Sequence, residues 1–438
     1  MSLSLGLSKR YEKSEALLKR AERCIPLGTQ TFSKSYLQSP RGVSPQFLTK
    51  GKGARVWDVD GNEYVDMVCG LLPVILGYSD PDVDQAIRDQ LARGISFSLA
   101  TELEIQLAEK LTEILPCAEM VRFGKNGSDA TSAAVRLARA VTGRDRIACC
   151  GYHGWQDWYI GTTVRNKGIP DAVCKLTHRF PYNDLDALER LLVSHPKQFA
   201  AVIMEPMNVD WPAESYLPGV RELAHKHGAL FVLDEIISGF RFAMGGAQEL
   251  FGVIPDLAAF GKSMGNGMPI SVIAGKAEYM RVMEDIFFSF TFGGEALSLA
   301  AALAVIDKLE REDGIARLRM KGERLNDGVR DLIQEVKMQD YIQLKGHPSW
   351  TIIEFSDHPL ASKEAMKTLF ILEMQKQGVL IRSSHNICLA LTEEDETHVV
   401  SAWEKFLLVL AEELDKKHDI PLENRLGCDL VRPVFSVR

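Results

Sequence analysis

Residues 257–267 read LAAFGKSMGNG, a short apolar run that carries one lysine, Lys262, into a bed of small side chains. A lysine so placed has two chemical uses: it can bind phosphate, or it can act as a nucleophilic amine. The P-loop pattern requires a glycine six positions before its lysine, and Asp256 stands there, so GKS is only a fragment of that motif. The commonest fate of a lysine is a solvated turn, so the neighbourhood has to argue for more.

Three further features surround it in the sequence. In NGSDATSAAVRLARAVTG, Asn126, Gly127 and Ser128 open a small-residue helix that Gly143 closes. The free N–H groups and positive dipole end of such a helix suit a phosphate, although a plain helix cap explains the same residues. In FVLDEIISGFR, Asp234 and Glu235 interrupt an apolar run where a buried strand ends, the edge at which open α/β sheets bind ligands. A carboxylate there pairs with a cation or keeps a ring nitrogen protonated, while Ile236, on the same strand face as Asp234, packs under the ring. In CGYHGW, Tyr152 and His153 follow another strand among glycines, where an aromatic side chain covers a flat ligand or simply packs its loop.

A phosphate seat, a ring-nitrogen carboxylate, an aromatic cover and a strand-delivered lysine together fit one common cofactor, pyridoxal 5'-phosphate. Its aldehyde condenses with a lysine amine, its protonated pyridine nitrogen makes the ring an electron sink, and its phosphate anchors it. Small neighbours leave Lys262 room to swing aside and carry protons.

The elements that must position these residues follow from the pattern of the chain. RIACCGY, FAAVIMEP, ALFVLDEI and LAAFGK recur every few dozen residues with helical patterns between them, which predicts a mostly parallel sheet covered by helices on both faces. Beyond about Asp307 the texture changes to long charged helices, KLEREDGIARLRMKGERLNDGVRDLIQEV and TEEDETHVVSAWEKFLLVLAEELDKK, with strand candidates at WTIIEFS and GVLIRSS. These predict a smaller α+β domain. Near the N-terminus, ARVWDVDGNEYVDMV reads as two strands joined at Asp60-Gly61. The expected division is therefore an N-terminal segment (1–69), a large domain (70–310) and a small C-terminal domain (311–438); the tail after Lys417 has no reading.

Composition excludes several classes. The 438 residues are 46% hydrophobic and 25% charged with a net charge of -8, ordinary for a globular protein and giving no reason to expect nucleic acid or an anionic membrane. No uncharged run reaches membrane-spanning length and the N-terminus meets charges too soon for a signal peptide, so a cytoplasmic protein is expected. The eight cysteines, without CxxC spacing, predict reduced thiols and no metal site.

The run VLDEIISGFRFAMGGAQELFGVIPDLAAFGKSMGNGMPISVIAGK, with MVRFGKNGSDATSAAVRLARAVTGRD, YHG, MEP and WDVDGNEYVDMV, resembles the class III pyridoxal-phosphate aminotransferases, and within them the glutamate-1-semialdehyde aminomutases and their relatives. The likeness runs from about Leu17 to Leu414. It implies fold type I, α/β, with a large cofactor domain, a small α+β C-terminal domain and a homodimer with active sites at its interface. It also implies that Lys262 is the Schiff-base lysine and Asp234 the pyridinium partner. Gly127 and Ser128 would hold the phosphate, Tyr152 would stack on the ring and Ile236 would lie beneath it. His153 and Glu205 would complete the cofactor pocket, and Thr291 would reach the phosphate of the neighbouring subunit.

The substrate half departs from this pattern. Aminomutases of the family carry a GVNSPVR-like segment whose serine and arginine face the substrate; this chain has GTQTFSK, giving Thr31 and Lys34. The family's QFEAGF-like glutamate is also missing, because no acid lies between Arg382 and Thr392. Thr31, Lys34, Asn208, Ser383 and Asn386 are the residues expected to meet the substrate. The leading expectation is an aminotransferase that moves an amino group from a donor such as glutamate, through the pyridoxamine form of the cofactor, to an oxo acceptor such as a keto sugar. The alternatives are the intramolecular aminomutase, an isomerase, and a catalytically idle binding protein, against which the presence of Lys262 and Asp234 speaks.

Overall fold

In the computed structural model of the chain, which describes residues 8–207, 209–415 and 420–432, seven short runs form one sheet. They are β1 (Met120–Gly124), β2 (Arg146–Cys150), β3 (Thr177–Arg179), β4 (Phe199–Met204), β5 (Leu230–Asp234), β6 (Leu257–Phe260) and β7 (Ser271–Gly275). Their spatial order is β3-β2-β4-β5-β6-β7-β1. The strands from β3 across to β6 pair in parallel, whereas β7 runs antiparallel to both β6 and β1.

Every residue of β4 and β5 is buried, which explains their unbroken apolar sequence. Alternate side chains feed two cores. Ala201, Ile203 and Val232 meet Leu137 and Ala138 of helix Gly127–Thr142 on one face. Val202, Met204, Phe231 and Leu233 meet Leu188 of helix Leu185–Ser194 and Val220 of helix Tyr216–Lys226 on the other. A sheet buried on both faces exposes function only at its ends, and the parallel strands β2, β4, β5 and β6 all finish at the same end.

This sheet belongs to a unit of residues 72–75 and 81–316; residues 8–71, 76–80 and 317–432 form a second unit. There, Ile342–His347, Trp350–Phe355 and Ser384–Asn386 make an antiparallel sheet. Helices Lys363–Lys376 and Glu393–Glu413 of this unit pack through Phe370, Trp403 and Phe406. A second sheet joins the two ends of the chain: Leu48–Lys52, Arg55–Asp58 and Glu63–Asp66 pair antiparallel, and Val379–Leu380 lies parallel to the last of them, with Val379 opposite Val65. The hairpin expected at Asp60-Gly61 is present, with Gly61 at φ 94°. The charged stretch expected as one helix is two, Ala296–Arg311 and Gly314–Glu335, because Asp313 between them takes a left-handed φ of 49°. No helix among the described residues is long and apolar enough to cross a membrane.

Candidate active site

Four parallel strands deliver the candidate residues of the large unit. Tyr152 and His153 follow β2, Glu205 follows β4, Asp234 ends β5 with Ile236 just beyond, and Lys262 follows β6. Lys262 opens a single 3-10 turn, Lys262–Gly265, at φ 37°, a left-handed value that is uncommon outside glycine. Its amine has no hydrogen-bond partner among the described residues. Burial depresses its pKa and outweighs the opposite pull of Glu205 and Asp234, with Arg241 adding to the depression. More of the amine is therefore neutral than in a solvated lysine.

Asp234 is fixed from two sides. His153 Nδ1 lies 2.8 Å from one carboxylate oxygen, and the Ile236 N–H donates to the other at 3.2 Å. The second ring nitrogen of His153 faces the Cys150 carbonyl at 3.1 Å, and the ring stacks on Trp158 with centroids 5.9 Å apart. The carboxylate thus cannot turn, and its aim is set by the strand. Glu205 accepts from the Tyr152 N–H at 2.8 Å, tying the ends of β2 and β4 together. Tyr152 itself is 44% exposed, its ring edge-on to Tyr159 at 5.5 Å.

The helix that starts at Gly127 combines a cap with an open seat. Asn126 accepts from the Asp129 N–H at 3.2 Å and the Asp129 carboxylate accepts from the Asn126 N–H at 3.0 Å, while the N–H groups of Gly127 and Ser128 meet no acceptor among the described residues. The loop after β2 closes over this end, with the Trp155 N–H donating to the Ser128 hydroxyl at 3.1 Å. It comes so near that a Cβ on Gly154 would stand 2.1 Å from that hydroxyl. Ile236 lies against the same place: a Cβ on Gly127 or on Gly261 would come within 3.1 or 3.2 Å of its Cδ1. Ile236 therefore borders both the helix start and the residue before Lys262. The Ser263 hydroxyl, next to the lysine, is buried without a partner. Open N–H groups, an unpartnered amine, a fixed carboxylate and an orphaned hydroxyl fit the phosphate, aldehyde and ring nitrogen of pyridoxal phosphate.

The other expected residues are placed differently. Thr291 is exposed, on a turn beside exposed Phe290 and Phe292. In the small unit, Thr31 precedes the turn Phe32–Lys34 and Ser383 accepts from the Ile353 N–H through its backbone carbonyl. The Asn386 side chain is buried and donates to the Val68 carbonyl at 2.8 Å. Asn208 lies outside the described residues. Of these small-unit residues, Lys34 lines a cavity of about 390 Å³, together with Arg382, Asp66 and Tyr78, which sequence reasoning passed over. The signal available for Arg382 was a lone charge ending the apolar GVLI run.

The family model for aminotransferase class-III matches residues 37–399. Over 403 residues the chain is 37% identical to 3-aminobutyryl-CoA aminotransferase of Cloacimonas acidaminovorans, covering 90% of this chain and 96% of that one. It is 34% identical to glutamate-1-semialdehyde 2,1-aminomutase of Desulforamulus reducens, covering 90% and 98%. Among solved structures, the FumI protein of Sphingopyxis sp. MTA144 in its pyridoxal-phosphate form superposes with a TM-score of 0.86 at 28% identity, over 94% of this chain and all of that one. An omega-transaminase from Sphaerobacter thermophilus gives 0.82 at 30% identity, over 90% and 97%. With the matched region spanning both ends of the fold and all the strand-end residues, the chain belongs to the class III aminotransferases, enzymes that use pyridoxal phosphate.

Proposed function

We propose that this enzyme is an intermolecular aminotransferase, which takes the amino group of a donor, glutamate, and delivers it to an oxo acceptor. The observation that carries the amino-transfer chemistry is Lys262, an amine held toward its neutral form by burial and left without a hydrogen bond at the strand end where Asp234 is fixed. Pyridoxal phosphate, when bound, supplies the carbonyl that takes up the amino group and the ring that stores the electron pair. The remaining work belongs to the chain. Lys262 would serve as the nucleophilic amine and as the group that moves a proton. Asp234, aimed by His153, holds the proton on the ring nitrogen. Gly127 and Ser128 would hold its phosphate through their N–H groups, Tyr152 and Ile236 would pack against its ring, and Glu205 keeps the Tyr152 loop in place.

Thr291 is assigned to the phosphate of a neighbouring copy in a cytoplasmic homodimer. That assignment is supported by the exposed apolar side chains around it, Phe287 at 82% and Phe292 at 58%. For the acceptor, the altered segments bearing Thr31, Lys34, Asn208, Ser383 and Asn386 support a keto sugar, and the similarity to 3-aminobutyryl-CoA aminotransferase supports a 3-oxoacyl thioester. Intramolecular amino transfer is the second reading, favoured by the likeness to aminomutases; turnover of glutamate 1-semialdehyde without an added donor would put it first.

The direct test is Lys262→Ala. Turnover is expected to fall by at least roughly 10³-fold and the visible absorbance of the bound cofactor to disappear, with far-UV circular dichroism unchanged. Borohydride trapping of the unmodified enzyme should leave the cofactor mass on the peptide containing Lys262. A tag on another lysine would overturn the assignment.

A further inference from the structure

The cavity of about 390 Å³ in the small unit is walled wholly by that unit's own residues. Much of the wall is apolar, including Leu27, Phe47 and Leu380, and it is broken by one acid and two cations, Asp66, Lys34 and Arg382. The acid attracts Arg382 but offsets its burial only in part. Its carboxylate already accepts from the Tyr78 hydroxyl at 2.6 Å and from the Val68 N–H at 2.8 Å, and burial raises its pKa. Arg382 donates one hydrogen bond, to the Gln38 carbonyl. Neither Arg382 nor Lys34 has a carboxylate within ion-pair distance among the described residues. Lys367, on helix Lys363–Lys376, is also without an ion pair; burial depresses its pKa, Arg382 adds to the depression and Glu364 opposes it. Burial brings Arg382 itself down to about 10. A desolvated cation with so little compensation is expensive to keep unless an anion joins it.

We propose that this cavity seats a phosphate-bearing ligand, with the phosphate oxygens on the Arg382 fork and the Lys34 ammonium and the ligand's apolar part against Leu27, Phe47 and Leu380. The charge count selects phosphate. One carboxylate is matched by the Arg382 fork alone, whereas a phosphate monoester carries about −1.5 to −2 at pH 7 and also draws in the exposed Lys34 ammonium. A volume of about 390 Å³ holds such a group together with part of a chain. The anion seat does not rest on the aminotransferase reading. Phosphate is the chemistry shared by a coenzyme A thioester and a nucleotide-linked keto sugar.

The experiment is calorimetric titration of the holoenzyme with coenzyme A, with UDP-glucose and with butyrate. Binding of coenzyme A alone assigns the seat to a coenzyme A compound, binding of UDP-glucose alone assigns it to a sugar nucleotide, and binding of both supports a general phosphate seat. In each case Arg382→Gln is expected to weaken binding at least tenfold and Lys34→Gln several-fold, with a shallower salt dependence. Lys34 is exposed, so its variant keeps the test open if Arg382→Gln does not fold. Butyrate binding as tightly as the phosphate compounds, no binding of either phosphate compound, or an affinity indifferent to both variants would overturn the proposal. Bleaching of the cofactor's visible band by glutamate tests the aminotransferase reading separately, because it needs no phosphate-bearing ligand.

Discussion

His153 of the large unit and His385 of the small one are both shut away from solvent, at 1% and 0% exposure, but their partners differ in kind. His153 stands between a carboxylate, Asp234 at 2.8 Å, and a carbonyl, Cys150 at 3.1 Å. His385 stands between two neutral side chains, Asn326 at 2.9 Å and the Trp403 indole N–H at 3.1 Å. An indole nitrogen only donates, so His385 Nε2 accepts and its Nδ1–H donates to Asn326, whose own amide donates to Thr351 at 2.6 Å. That network fixes the neutral ring, and burial pushes its pKa down to about 3. Burial alone therefore says little about what a histidine does. The charge of its partner decides whether it aims a reacting group or joins a core.

The comparison breaks first at the carboxylate. Asp234→Asn keeps a hydrogen bond to the ring nitrogen but cannot hold its proton, so kcat should drop by roughly 10³-fold while the cofactor still co-purifies. Steady-state rates near those of the unmodified enzyme would remove Asp234 from the chemistry. His153→Phe keeps an aromatic on Trp158 but removes one of the two hydrogen bonds that fix Asp234, and a loss of roughly 10–100-fold in kcat is expected, the range seen when a group that orients a reacting ligand is removed. Should its rate match the parent's, His153 would be a packing residue like His385.

The converse substitution is His385→Leu, which strands the Trp403 N–H and the Asn326 amide. Unfolding in urea should then show a loss of about 2–4 kcal/mol with little change in kcat for folded enzyme. The same variant also changes the pH profile. The unfolded chain protonates this histidine near its ordinary value of about 6.5, while the folded one resists until about 3, so stability is lost as pH falls through that window, by up to about 1.4 kcal/mol per unit. His385→Leu should flatten the acid limb between those values; an unaltered limb would show that other groups set it.

The large unit was legible because its sheet is buried on both faces. FAAVIM and LFVLD have the length and β-branched or aromatic content of central strands, and a charge ending such a run, as Asp234 does, marks a strand end. Small-unit chemistry was hidden for equally physical reasons. Ser384–Asn386 is a three-residue polar strand with no periodicity to detect, and His385 within it reads as a loop residue until Trp403 is brought alongside. Asn386, chosen for its amide, has that amide on the Val68 carbonyl, and Arg382 gains meaning only when the segment of Lys34 folds beside it. Contacts between residues far apart in sequence leave no trace in a local pattern. The break at Asp313 was missed because acidic residues tolerate the left-handed conformation without announcing it.

The parallel pairing of Val379 with Val65 sets an order of events during synthesis. Glu63–Asp66 leaves the ribosome about three hundred residues before the strand that completes its sheet, a delay of roughly 15–60 s at ordinary elongation rates. Through that interval the N-terminal meander can pair on only one side, while the large unit, whose strands are all encoded in between, can already close. The nascent chain should therefore pass through a stage in which its first seventy residues are a waiting sheet edge, the part of the protein most in need of a chaperone.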